Sequence, residues 1–166
     1  MEKGSPCDRA LRQAYRLLAV RARSERELRT KLAGKGFEKP ETEAVLAKLR
    51  EQGYLDDASF AGQWARNLAV NRLQGDLRIE MSLREKGVPE ALARQALALA
   101  RQEIGEGEAV RRLIAGYLAG RKLSALDDKD KRRLMQRLAG KGFPAGLIYG
   151  FIKNRQEESR HDDDGE

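Results

Sequence analysis

Apolar residues along this chain fall at helical spacing, and one ten-residue stretch of the pattern occurs three times. The copies are Leu28 to Phe37 (LRTKLAGKGF), Ile79 to Val88 (IEMSLREKGV) and Leu134 to Phe143 (LMQRLAGKGF), starting 51 and then 55 residues apart. Each reads apolar, three variable positions, Leu, two variable positions, Lys, Gly, apolar. A self-match at that period is the signature of a repeat architecture, in which small units bury their faces against neighbours.

The ten-mer reads as the end of a short helix. Gly36, Gly87 and Gly142 stand where a helix stops by placing one residue in the left-handed region, which glycine enters without steric cost. The following residue should then meet the one four before the glycine, which pairs Phe37 with Leu32, Val88 with Leu83 and Phe143 with Leu138. At the front of the first copy, Ser24 to Glu27 form a capping box, with Asp130 and Gly75 expected as the matching caps.

Other stripes lie between the copies at i, i+3, i+4, i+7. Leu11, Ala14, Tyr15, Leu18 and Ala22 form one, with Arg9, Arg12, Arg16 and Arg23 on the other side. Val45, Leu46 and Leu49 follow Pro40, a residue tolerated in a first helical turn. Phe60, Trp64 and Leu68, then Leu92, Ala96 and Ala100, then Val110, Ile114 and Leu118, and last Leu147, Ile148 and Phe151 complete the set. No segment alternates with period two, so no strand is expected. The fold predicted is all-α, three tandem three-helix repeats at 9–53, 54–104 and 107–154. Residues 1–8 are expected to fray, and Gly120 to Asp127 to form a polar connector. An acidic stretch, 155–166, is expected to be disordered.

Charge sharpens this picture. Charged residues make up 36% and aromatic residues 5%, so small helical cores are affordable but a large aromatic one is not. The net charge of +7 points to an acidic partner. After Gln156 six acidic residues face Arg160, a net of −5, which leaves about +12 on the rest. A single cysteine, Cys7, fits a reducing cytoplasm, and no apolar run reaches membrane-spanning length.

Two stretches resemble hallmarks of the RecX family of bacterial regulatory proteins. They are Gly53-Tyr54-Leu55-Asp56-Asp57-Ala58-Ser59-Phe60-Ala61 and the run Gly75 to Gly87 (GDLRIEMSLREKG); Ala19 to Leu32 is similar to that family's opening repeat. Ser82 departs from the pattern, where an acidic residue is expected. The resemblance, over about residues 9–154, implies an elongated, curved molecule. It also implies a non-enzymatic modulator, mainly an inhibitor, that binds the RecA recombinase filament on DNA. Its ATPase, strand-exchange and co-protease activities would be restrained, and the modulator itself would be a cytoplasmic monomer without cofactor.

The residues agree with a binding role. His161 and Cys7 sit near opposite ends, and no Cys/His cluster offers a zinc site. Gly105-Glu106-Gly107 lacks the ending of a phosphate loop and reads as a linker, while Asp56-Asp57 reads as a helix cap. Lys35, Lys86 and Lys141 flank the buried stripe and suit a structural role at the helix C-terminus. Trp64, in phase with Phe60 and Leu68, reads as core. Arg12, Arg16, Arg26, Arg29 and Arg132 face outward and are the candidates for contact with a filament or nucleic acid. Two rival readings stay open: a DNA-binding protein that competes with RecA for single-stranded DNA, and a general adaptor solenoid.

Overall fold

A computed structural model describes residues 4–161. Among them there is no strand, and nine α-helices follow one another: α1 (Pro6–Val20), α2 (Glu25–Ala33), α3 (Lys39–Glu51), α4 (Asp57–Arg66), α5 (Asp76–Glu85), α6 (Glu90–Glu103), α7 (Glu106–Leu118), α8 (Asp128–Gly140) and α9 (Ala145–His161). A π-helical turn (Asn67–Asn71) extends α4, and a 3₁₀ turn (Leu123–Ala125) precedes α8. No helix among the described residues is long and apolar enough to cross a membrane.

The helix stops follow from the ten-mer. Gly36, Gly87 and Gly142 have φ of 86°, 73° and 91°. Phe37, Val88 and Phe143 each donate a backbone hydrogen bond to the carbonyl of Leu32, Leu83 and Leu138, at 3.3, 3.0 and 3.4 Å. This is the Schellman closure, and it carries the apolar residue back over the end of its helix. Gly53, at φ 73°, ends α3 the same way, with Tyr54 N–H reaching Leu49 O at 2.9 Å.

Helix starts agree in part. Ser24 and Glu27 form the expected capping box on α2. The third copy is capped by Asp127 rather than Asp130, whose N–H donates to the Asp127 carboxylate, so α8 begins nearly a turn earlier than expected. Residues 5–8, expected to fray, are the capped first turn of α1: Ser5 Oγ accepts from Asp8 N–H and the Asp8 carboxylate accepts from Ser5 N–H. Helix α9 runs through His161, into the acidic stretch expected to be disordered; 162–166 lie outside the described residues.

Cα proximity groups the chain into two compact units, one reaching Trp64 and taking in Ser82–Ala96, the other formed by Ala65–Met81 and the chain from Leu97. In the first, α1, α2 and α3 pack on one another around Ala10, Ala14, Leu28, Leu32, Val45, Leu46 and Leu49. Ala22, placed on the stripe by its spacing, is exposed because α1 ends at Val20. In the second, α7, α8 and α9 pack together, and the 3₁₀ turn lies on α9. The connector there is not simply polar: Leu123 and Leu126 are buried.

Candidate nucleic-acid interface

Two junctions in this chain are built by one design. In the first, Ser24, the cap of α2, donates its hydroxyl to the carbonyl of Lys86, next to the left-handed Gly87. In the second, Gly75, which precedes α5, donates its N–H to the carbonyl of Lys141 at 2.9 Å, next to the left-handed Gly142. Gly75 is buried, and a methyl group there would lie 2.6 Å from Phe143 N. Glycine is required at that point by close backbone approach, beyond its value as a cap.

A carboxylate completes each junction. Asp57, in the first turn of α4, accepts from the Glu25 N–H that opens α2 at 2.8 Å. Glu106, in the first turn of α7, accepts from the Asp76 N–H that opens α5 at 2.8 Å. Each satisfies a backbone donor that a helix start leaves without an intrahelical partner. Burial pushes both carboxyls above the usual carboxylate range, against the lowering by the amide each accepts from. The Asp56-Asp57 pair thus divides its labour: Asp56 caps α4 through the N–H groups of Ala58 and Ser59, and Asp57 caps α2.

Glu27 is the electrostatic centre of the first junction. Burial raises its pKa, but hydrogen bonds from Arg21 (2.7 Å), Lys86 (2.8 Å) and Ser24 N–H outweigh it and bring the carboxyl to about 2. The Lys86 ammonium also lies 4.9 Å from the centre of the Trp64 ring, a cation–π distance. Trp64 stacks on Phe60 at 5.8 Å and donates its indole N–H to Ser82 Oγ at 2.9 Å. That bond gives Ser82 its role: an acidic residue one turn before Lys86 would draw the ammonium, whereas the hydroxyl leaves it for Glu27. Lys86 and Lys141 are therefore structural, the latter donating to Arg72 O at 2.8 Å, while Lys35 is exposed.

The five candidate arginines differ in state. Arg12, Arg16, Arg26 and Arg132 are exposed and make no ion pair among the described residues. Arg26 spends its stem on the junction, since a methyl group on Gly87 would lie 2.5 Å from its Cβ. Arg29 is half-buried and clamped between two carboxylates, Glu43 at 2.7 Å and Glu25 at 2.8 Å. The Glu43 hydrogen bond, then that to Glu25, raise the Arg29 pKa despite desolvation, so its charge is already answered within the fold. Arg12 and Arg16 share one hollow with Arg9, Gln13 and Phe37. Arg9 was not among the candidates, although its i, i+3, i+7 spacing with them carried the signal. Among the described residues no cluster of His, Cys, Asp or Glu could hold a metal ion.

Known proteins place this geometry in a family. Sequence models of the first and second three-helix domains of RecX match residues 10–57 and 56–97. The regulatory protein RecX of Amycolatopsis mediterranei is 36% identical over 148 residues, spanning 87% of this chain and 81% of that protein. The regulatory protein RecX of Thermus thermophilus is 36% identical over 149 residues, spanning 90% and 94%. The fold is that of the crystal structure of RecX from Lactobacillus salivarius, with a TM-score of 0.74 at 21% identity over 91% of this chain and 97% of that one. A second crystal structure of a regulatory protein RecX aligns with a TM-score of 0.72 at 26% identity, over 90% and 72%.

Proposed function

This chain belongs to the RecX family of regulatory proteins, and from that premise we propose that it modulates the RecA recombinase by binding its filament on DNA. In this reading the repeats 9–53, 54–104 and 107–154 form a monomeric docking protein of the cytoplasm. It restrains ATP hydrolysis, strand exchange and co-protease activity without chemistry of its own. One observation in this chain supports it most: arginines on α1 that make no ion pair among the described residues, on a body that carries about +12. A filament of acidic protein and phosphate would complement that charge.

The test is DNA-dependent ATP hydrolysis by RecA on single-stranded DNA, with this protein added below the RecA concentration. Hydrolysis should fall at that ratio, because a ligand inside a polymer affects more protomers than it touches. Bare DNA of equal length should bind more weakly than the filament. Equal binding, with hydrolysis falling only once DNA is coated, would establish the competing DNA-binding protein instead. Filament binding that ignores salt would favour the adaptor solenoid.

A further inference from the structure

Within the proposed filament reading, on which this inference rests, we infer that the α1 face of Arg9, Arg12, Gln13 and Arg16, with Phe37 beside it, is a binding site for the sugar-phosphate backbone of single-stranded DNA. At 100° per residue these four α1 positions fall within an arc of about 100°, so one helix face carries three guanidinium groups. Together with Phe37 they line a hollow of about 330 Å³. Like charges one turn apart on a helix destabilise it by about 0.2–0.5 kcal/mol per pair. Several other arginines, Arg21, Arg29, Arg50, Arg66 and Arg101, each hold a carboxylate. On this face none of the three makes an ion pair among the described residues. Asp8, the one acidic group on α1, hydrogen-bonds Ser5 Oγ and N–H at 2.8 and 3.0 Å; those bonds, and after them the charge of Arg12, hold its carboxyl below the ordinary value, without an ion pair to Arg12.

The fold also holds an aromatic ring at this place. The Schellman closure at Gly36 brings Phe37 back over α2, where it is half-buried against the core and still lines the hollow. Guanidinium groups read a phosphate by charge-assisted, forked hydrogen bonds, and an aromatic face takes any base by stacking. Both interactions are independent of sequence, as a site that follows a strand along its backbone requires. A protein carboxylate would satisfy the arginines but give no partner to the Phe37 ring.

The experiment measures binding of the full chain to a fluorescein-labelled oligothymidylate by anisotropy across salt concentrations, with RecA ATPase assayed in parallel. Each neutralised phosphate contributes about 0.7 to the slope of log K on log salt for single strands, so R9Q/R12Q/R16Q should flatten the slope by about 2. Phe37→Leu should keep the slope and weaken binding about five-fold or more. Circular dichroism checks that each variant is folded, and the single exchange R12E repeats the test should the triple variant unfold. An unchanged slope overturns the assignment. So does a variant that keeps DNA binding and loses its effect on RecA, which would make this face a dock for acidic protein. A flattened slope with no effect of the wild type on RecA would uphold the site and end the filament reading.

Discussion

Alanine at the three repeat glycines should cost unequal amounts, although their backbones are alike. All three have positive φ and the same pair of closing hydrogen bonds. The conformational penalty for a side chain there is about 1–2 kcal/mol at each. The surroundings differ. Around Gly36 a methyl group would meet nothing within 4 Å, so Gly36→Ala should cost that penalty alone. On Gly87 the methyl would lie 2.5 Å from Arg26 Cβ, and on Gly142 2.5 Å from Arg78 N. Neither is the far end of a flexible side chain, so both junctions must shift. Overpacking of that kind adds about 1–3 kcal/mol, which brings Gly87→Ala and Gly142→Ala to about 2–5 kcal/mol. Gly75→Ala separates the two effects: no left-handed conformation is needed there, yet its methyl would meet backbone at 2.6 Å. Urea unfolding followed by circular dichroism reads all four, and fluorescence of Trp64, the sole tryptophan, reads the first junction. Equal losses at Gly36, Gly87 and Gly142 would refute the reasoning, since conformation alone would then account for the glycines.

The remaining expectations concern the same junctions. Glu27 has a folded pKa near 2 against about 4.5 unfolded, so its ion pairs stabilise above pH 4.5 and lose that effect as pH falls toward 2. The full contribution is on the order of 3 kcal/mol, and Glu27→Gln should flatten the acid limb of a stability-versus-pH curve; an unaltered limb would exclude Glu27 as its source. Asp57 and Glu106 carry the opposite sign: their folded pKa values are raised, so burying the charge costs stability above the folded pKa and costs nothing below the unfolded one. Asp57→Ala and Glu106→Ala should each lose about 1 kcal/mol with the cap, while Asp57→Asn and Glu106→Gln keep an acceptor and should restore most of it; amides no better than alanine would mean charge, not acceptance, is what α2 and α5 need. Ser82→Ala leaves the Trp64 indole without its acceptor and should cost about 1 kcal/mol with a shift in tryptophan emission.

What could be read from the sequence was local. Gly36, Gly87 and Gly142, and the Ser24–Glu27 box, act through residues within one turn, so ten residues suffice to specify them. The Ser5-Asp8 box was equally local, but the turn it caps, Pro6 to Arg9, lies before the first residue of the apolar stripe and carries none of it. Leu123 and Leu126 were hidden because two apolar residues in a 3₁₀ connector follow neither helical nor strand period. The junctions could not be read at all. Asp57 serves an amide 32 positions earlier and Glu106 one 30 positions earlier, and nothing local distinguishes either from an ordinary first-turn acid.

The arginines mark the same limit at the functional surface. Helical phase assigns a residue to a side of its helix, and by phase Arg29 faces outward like Arg26. Its partners settle its role, and one of them, Glu43, lies on α3, fourteen residues away. Reversing Arg29 to glutamate would place three carboxylates together and disturb α2 and α3 before any partner is met. Arg26 is tied to Gly87 by packing, so its replacement also acts on the junction. Arg12 and Arg16 carry neither tie: their face of α1 is exposed, and the core of the first unit lies on the side of Ala10 and Ala14. A charge change there alters what the surface attracts while leaving the packing beneath it alone. Function can therefore be separated from stability in this unit at α1, and not at α2, where the same kind of side chain helps hold the fold together.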